Sequence, residues 1–214
     1  MKHLLLGLAI AASLPATAQT DARAKAVLDA LAKKAATYKS LKATFTMNIA
    51  DAGGKGGTTQ RGTFLMKGPK YRLTLPTQDT RSDGRTLWTY LKEAGEVQVS
   101  TPDASSESAL SPMKLFTQFS DRDYKSRYLG ERKVGAKTAH VVELLPTKKT
   151  QAFKKVELAV DKASGTVASG TIWDKSGARY AYTIATYTPN IAIPDAQFVW
   201  DTKANAGVEV VDLR

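Results

Sequence analysis

Cysteine is absent from the chain, which excludes disulfide staples, thiolate nucleophiles and Cys-ligated metal centres. Histidine is almost absent. Of the two present, His3 falls in an N-terminal leader, so His140 alone remains, in the middle of a predicted strand. One imidazole without thiolates does not make a zinc site. The carboxylates Glu131, Glu143 and Glu157 are scattered singles rather than a calcium-type array. Ser-His-Asp hydrolysis would need His140 as its base, yet no G-x-S-x-G elbow occurs. A glycosidase pair of carboxylates is the one catalytic arrangement left open. The glycine-rich run Gly53-Gly54-Lys55-Gly56-Gly57 lacks the P-loop spacing and its Lys-Ser/Thr ending; it reads as a hairpin tip. These absences point to a site made of shape and apolar surface, with no reaction, cofactor or metal expected.

Long apolar runs are also missing. Leu4 to Leu14 is uncharged but too short to span a bilayer. It follows the basic Met1-Lys2-His3 and precedes Pro15-Ala16-Thr17-Ala18, the pattern of a signal peptide cleaved after Ala18. No Cys follows that would accept a lipid. Residues 1–18 are therefore expected to be removed, leaving 19–214 as one exported domain, long enough to bury roughly 70% of its unfolded surface. Acidic residues are the minority, 20 against 31 Lys and Arg, for a net charge of +11. Outside the cytoplasm such a chain meets anionic lipid and acidic proteins before nucleic acid. An excess of Lys that serves solubility alone explains the charge equally well. The pairs Tyr71-Arg72, Arg127-Tyr128 and Arg179-Tyr180 suggest base-stacking platforms, but strand neighbours point to opposite faces, and no nucleic acid partner is expected.

What is present is β-periodicity with turns. Asp21 to Lys39 reads as an amphipathic helix with Asp21 as its N-cap and Val27, Leu28, Leu31, Ala35 and Tyr38 on one stripe. From Leu41 onward short strands alternate with turn residues, about eleven in all, in a single antiparallel sheet that is strongly curved or partly closed. Val208 to Val211 is the closing strand, after an irregular connection containing Pro189 and Pro194. Ser82-Asp83-Gly84-Arg85-Thr86-Leu87-Trp88-Thr89-Tyr90-Leu91 is the informative stretch. Asp83-Gly84 signals a two-residue hairpin. In the strand that follows, Leu87, Thr89 and Leu91 point one way while Trp88 and Tyr90 point the other. A half-solvated strand would alternate apolar with polar, so both faces here need a cover. Between strands, Thr101 to Ser108 is a polar loop, and Ser111-Pro112 starts a short helix carrying Met113, Leu115, Phe116 and Phe119. That helix is too apolar for water and too short to stand alone. It is either a plug closing a barrel end or a lid over a cavity.

Several segments together resemble the LolA family of periplasmic outer-membrane lipoprotein carriers. They are Ala43-Thr44-Phe45-Thr46, Gly62-Thr63-Phe64, Pro69-Lys70-Tyr71-Arg72, the Ser82 to Tyr90 stretch, Glu96-Val97-Gln98-Val99 and Gly207-Val208-Glu209-Val210-Val211-Asp212. The resemblance implies an incomplete antiparallel β-barrel, an N-terminal helix and a helical lid over an apolar cavity. Such a barrel holds the acyl chains of lipoproteins released by an inner-membrane ABC transporter and passes them to an outer-membrane acceptor. The protein would act as a monomer. On this basis Phe64, Met66, Trp88, Tyr90, Trp173 and Tyr182 are expected in the cavity wall, and Met113, Leu115, Phe116 and Phe119 in the lid. Family members carry an Arg just before the Pro of this region, which latches the lid; here Gly68 or Lys67 takes that place. Lys cannot reproduce the planar fork of Arg, so two alternatives follow: lid opening is looser, or Lys67, Lys70 or Arg72 substitutes as latch or docking group. Rival readings are a lipoprotein-sensing or glycolipid-binding domain of the same fold, and a lidded exported hydrolase.

Overall fold

Asp21 organises the first element. Its carboxylate accepts hydrogen bonds from the amides of Arg23 (2.8 Å) and Ala24 (3.4 Å), capping helix α1, Ala22–Ala35. The computed structural model describes residues 21–53, 57–102, 124–148 and 153–214. Residues 1–20 and the stretch 103–123, with the predicted signal peptide and lid, lie outside them. After α1 come β1 (Leu41–Ala50), β2 (Gly57–Lys67), β3 (Lys70–Thr74), β4 (Gln78–Ser82), β5 (Leu87–Leu91) and β6 (Glu96–Ser100). Then follow β7 (Tyr124–Val134), β8 (Lys137–Pro146), β9 (Phe153–Asp161), β10 (Val167–Asp174), β11 (Arg179–Pro189), a 3-10 turn at Asp195–Phe198 and β12 (Glu209–Asp212).

The described strands form one twelve-stranded sheet in the order β12-β6-β5-β4-β3-β2-β1-β11-β10-β9-β8-β7. The sheet is not closed, since β12 and β7 are its two edges, and with α1 it makes an incomplete barrel of mainly β structure. Neighbouring strands pair antiparallel except β12, which lies parallel to β6 with Glu209 opposite Glu96 and Asp212 opposite Val99. Turn spacing alone predicts a wholly antiparallel sheet. The exception follows from the route of the chain, which leaves β11 in mid-sheet, crosses to the far edge and enters there alongside β6.

Strand alternation splits the sheet into two faces. The inner face holds Leu41, Phe45 and Met47 of β1, Phe64 and Met66 of β2, Tyr182 and Ile184 of β11, and Val156, Leu158 and Val160 of β9. All are buried in one cluster with Ala24, Leu28 and Leu31 of α1. The helix therefore packs on the inner face, at the β7–β8 end. Asp21 fastens it there: its N–H donates to the Ser126 carbonyl (3.1 Å), and its second carboxylate oxygen accepts from the Tyr128 amide (3.2 Å). One residue thus caps a helix and satisfies part of the open edge of β7.

The β4–β5 connection is a four-residue loop, Asp83 to Thr86, rather than the expected two-residue turn. The Asp83 carboxylate accepts from two loop amides, those of Arg85 (2.8 Å) and Thr86 (2.7 Å), and Gly84 adopts φ 93°. Gly62 matters for a steric reason. Phe45 lies opposite it in the register, and a Cβ at position 62 would overlap Phe45 Cζ and sit 2.9 Å from Leu75 Cδ2. Gly62→Ala is expected to lower stability by about 1–3 kcal/mol through overpacking, read as a lower urea midpoint at unchanged slope. Phe45→Leu in the same chain should recover part of the loss, whereas simple additivity of the two would assign the loss to another cause.

Candidate functional site

The inner face changes character across the sheet. Around α1 it is packed solid. Toward β3 it becomes aromatic, with the Phe45 and Tyr182 rings 5.8 Å apart and those of Phe64 and Tyr71 6.5 Å apart. The register then carries the same face to Leu73 of β3 and, through Ser82 and Gln78 of β4, to Leu87 and Leu91 of β5. Tyr71, Leu73, Leu87 and Leu91 are only half-buried. Leu87 and Leu91 lie beyond the packed cluster, so apolar side chains recur on this face where the packed core ends, between the polar inner residues Gln78, Thr80 and Ser82 of β4 and Glu96, Gln98 and Ser100 of β6.

The outer face of the same strands is covered by the chain's own C-terminal segment. At the end of β11, Asn190 adopts φ 59°, its N–H donates to the Ser40 carbonyl (2.8 Å), and its side-chain oxygen accepts from the Lys39 amide (2.9 Å). Residues 191–200 then run as a strap over β2 to β5, burying Ile193, Phe198 and Trp200. Lys67 Nζ reaches the Ile193 carbonyl (3.2 Å) and Asp195 (2.8 Å), and Lys70 Nζ takes the other Asp195 oxygen at 2.8 Å. Arg72 donates through Nη1 to Gln197 (2.7 Å), and Arg81 through Nη1 to the Val199 carbonyl (2.9 Å). The Trp200 ring lies 4.9 Å from that of Tyr90, tilted by 43°, and under the Arg81 guanidinium at 5.0 Å.

Asp79 lies beneath this array. Only 6% of its side chain is exposed, and it binds Arg72 in a two-pronged pair (2.9 and 2.7 Å) and Arg81 at 2.8 Å. Burial pushes its carboxyl upward, but the hydrogen bonds from Arg72 and Arg81 outweigh that and hold it below the ordinary range. Asp79 thereby orients the two guanidiniums that grip the strap.

The predicted site residues divide between the faces. Phe64, Met66 and Tyr182 come together on the inner face. Trp88 and Tyr90 do not join them: they pair with Arg81 and Asp79 and stand on the outer face, with Tyr90 against Trp200 of the strap. Trp173 is also on the outer face, opposite in alternation to the buried Ile172, with Lys155 Nζ 4.4 Å above its ring. Lys155 in turn bonds the buried Glu143 (3.1 Å), which Arg127 also holds (2.8 Å). Lys67, Lys70 and Arg72 all reach the C-terminal strap. Met113, Leu115, Phe116 and Phe119 lie outside the described residues. Sequence reasoning passed over Phe45, Met47, Tyr71 and Leu73 as site residues, although strand alternation links them to Phe64. It also missed Phe198 and Trp200, whose only signal was apolar bulk in an aperiodic segment.

His140 is on the inner face, its Nδ1 2.9 Å from the Tyr128 hydroxyl and 3.8 Å from Glu131. Among the described residues no group of three or more His, Asp or Glu is placed to hold a metal ion, and no helix is long and apolar enough to cross a membrane. A groove of about 500 Å³ is lined by polar residues, among them Thr44, Thr63 and Lys92, together with the apolar Phe45, Leu75 and Ala185. None of the residues predicted for an acyl cavity borders it.

Asp79→Asn is expected to cost on the order of 3 kcal/mol in urea unfolding, because two largely buried guanidiniums lose their counter-charge. Asp195 supplies a pH test. Hydrogen bonds from Lys67, then Lys70, hold its carboxyl at about 2, below its ordinary 3.8. A carboxyl depressed in the folded state stabilises fully above its unfolded value and loses that contribution as pH falls through the folded one. Amide exchange across residues 195–200 should be unaffected by this group between about pH 8 and 5, after allowance for intrinsic rates. Protection should then decline between about pH 4 and 2, an acid step that Asp195→Asn removes.

A family model described as the outer membrane lipoprotein carrier protein LolA matches residues 36–201, a span that includes the strap through Trp200 and excludes α1. No curated protein sequence matches the chain. Among solved structures, an uncharacterized conserved protein from Thermus thermophilus shares the fold at 14% identity and TM-score 0.59, covering 89% of this chain and 99% of that one. A LolA superfamily protein from Nitrosomonas europaea aligns at 14% identity and TM-score 0.43, covering 83% and 97% of the two chains. Lipoprotein LppX of Mycobacterium tuberculosis aligns at 8% identity and TM-score 0.49, covering 79% and 99%. With a family match over most of its length and the incomplete barrel to go with it, the chain belongs to the LolA outer membrane lipoprotein carrier family.

Proposed function

We propose that this protein is a periplasmic carrier that shelters the acyl chains of lipoproteins on the inner face of its barrel. Its cargo would be received from an inner-membrane ABC transporter and delivered to an outer-membrane acceptor. The observation that carries the reading is the set of half-buried apolar side chains on the inner face: Tyr71 and Leu73, packed against the cluster of Phe64, Phe45 and Tyr182, and Leu87 and Leu91 beyond it. Each acyl CH₂ kept from water is worth about 0.8 kcal/mol, so an acylated protein crossing an aqueous space needs such a surface. The signal-peptide pattern of residues 1–18 supports export.

The reading is one of binding without covalent chemistry. His140 engages the Tyr128 hydroxyl through its Nδ1, and the packed cluster on the same face is apolar and aromatic. A row of apolar side chains needs no proton transfer to hold a fatty chain. The predicted lid of Met113, Leu115, Phe116 and Phe119 would complete the enclosure from the other side.

The floor can be poisoned without disturbing the packed cluster. Leu87→Asp places a carboxylate on the inner face of β5, where burial is partial and the core is not involved. Mass spectrometry of lipid and lipoprotein recovered with the protein from the periplasm should find acylated cargo on the wild type. Recovery from the variant should fall at least about tenfold, the cost of a charge on an apolar contact, at unchanged far-UV circular dichroism. Equal recovery from both would mean that this face does not carry the cargo.

A further inference from the structure

The outer face carries a polar feature apart from the strap. Thr44, Thr63 and Thr74 form one row across β1, β2 and β3, and Arg61 pairs with Thr46 beside them. Strand alternation sets all five opposite to Phe45, Met47, Phe64 and Leu73, so they point outward. With Lys92 they line the groove of about 500 Å³, which no strap residue borders. Ala185 lines it as well, and it is the extra residue of a β-bulge, since Thr186 pairs with Thr44 while Ile184 pairs with Phe45. Bulges are frequent next to functional sites, where they reshape the surface of a sheet.

The charge of this groove is not balanced by protein. No carboxylate lines it. Elsewhere on the outer face Lys67 and Lys70 hold Asp195, and Arg72 and Arg81 hold Asp79. Arg61 makes neither an ion pair nor a hydrogen bond among the described residues, and the hydroxyls of Thr46, Thr63 and Thr74 make no hydrogen bond there either. Lys92 Nζ donates to the Leu75 carbonyl at 2.7 Å, which holds the ammonium at the rim with further N–H donors to spare. Isolated surface cations are satisfied by water. These two border a volume within the range of small-molecule sites, about 300–1,000 Å³.

A carboxylate is planar and offers its oxygens to one side. A phosphate ester spreads its charge over oxygens set tetrahedrally, and so accepts from a guanidinium, an ammonium and hydroxyls together. We propose that this groove binds a small phosphate ester, either free or as the head group of a phospholipid. Arg61 and Lys92 supply the counter-charge, Thr63 and Thr74 donate from the sheet, and the carbon part of the ester rests against Leu75. The groove and the apolar floor are on opposite faces of the sheet, so this assignment and the carrier reading stand or fall separately.

Glycerol phosphate, with glycerate as its carboxylate counterpart, can be titrated into the purified protein by calorimetry at about 0.1 M salt, where charges more than about 10 Å apart are screened. The wild type should bind glycerol phosphate at least about tenfold more tightly than glycerate. Arg61→Gln and Lys92→Gln should each weaken it about tenfold, and Thr63→Val about threefold. Lys33→Gln combined with Lys133→Gln removes two exposed cations on α1 and β7, and should leave the affinity within about twofold. Circular dichroism and the thermal midpoint establish that each variant is folded. Sedimentation with phosphatidylglycerol vesicles then separates the sources. Pelleting that glycerol phosphate competes away and Arg61→Gln abolishes assigns a lipid head group; soluble binding without pelleting assigns a free ester; pelleting that survives Arg61→Gln reflects net charge and rules the head group out. Absence of glycerol phosphate binding, equal affinity for glycerate, or an equal loss in the Lys33 and Lys133 variant overturns the site.

Discussion

A strand that is apolar on both sides has to be covered twice, and β5 imposes that condition on the half of the sheet that contains it. Leu87 and Leu91 face inward while Trp88 and Tyr90 face outward, so neither side can be left to water. The chain meets the outer requirement from its own sequence, by sending residues 191–200 back across the sheet with Ile193, Phe198 and Trp200 turned down against it. Among the described residues the inner requirement is not met in the same way. Helix α1 covers the β7–β8 end, and the floor at β3 and β5 is left half-buried. This asymmetry between the two faces is the basis of the proposed function.

The strap is held by charge as much as by apolar contact. Asp79 neutralises Arg72 and Arg81, and each guanidinium then directs a further donor to a strap group. Such a buried triad is a poor source of net stability, because desolvating three charges offsets most of their attraction. Its effect is positional, for Arg72 and Arg81 can grip Gln197 and Val199 in few other arrangements. With the strap fixed, the chain reaches the far edge in the direction that makes β12 parallel to β6, and that strand covers an edge otherwise open to pairing with other chains. The outer face, the strap and one sheet edge are thus settled by a single cluster of side chains.

How much of this the sequence disclosed depends on the range of the interaction. Local signals were legible: the Asp21 cap, the alternation of Phe45 and Met47, the place but not the length of the turn at Asp83-Gly84, and the closing strand near Val208. Alternation also revealed two apolar sides on the strand of Trp88. It could not say which side faced in, because a period of two is the same seen from either face. Assigning the larger aromatics to the interior placed Trp88, Tyr90 and Trp173 on the wrong side, and for the first two only counting the register from Phe64 through Leu73 and Thr80 corrects it. The cations Lys67, Lys70 and Arg72 stood out, while the groups that they hold, Asp195 and Gln197, lie about 125 positions away. The strap itself has no period to detect. Its prolines read as a break, and its fixed conformation comes from the surface on which it lies.

Fixing the fold from outside also bears on how a carrier can tolerate a thinly packed interior. Cores are normally packed to crystal density, and each void lowers stability in proportion to its volume. A protein that must stay folded with or without a guest needs that stability from elsewhere. Here the cluster under α1 and the strap with its Asp79 anchor lie on either side of the apolar floor, and neither includes Leu87 or Leu91. Loss or gain of a chain on that floor would therefore leave both intact. A guest would need only to exchange water or a covering segment for hydrocarbon, a step worth about 0.8 kcal/mol per CH₂. An interior packed as densely as the region beneath α1 would hold the same sheet together and have no room for cargo.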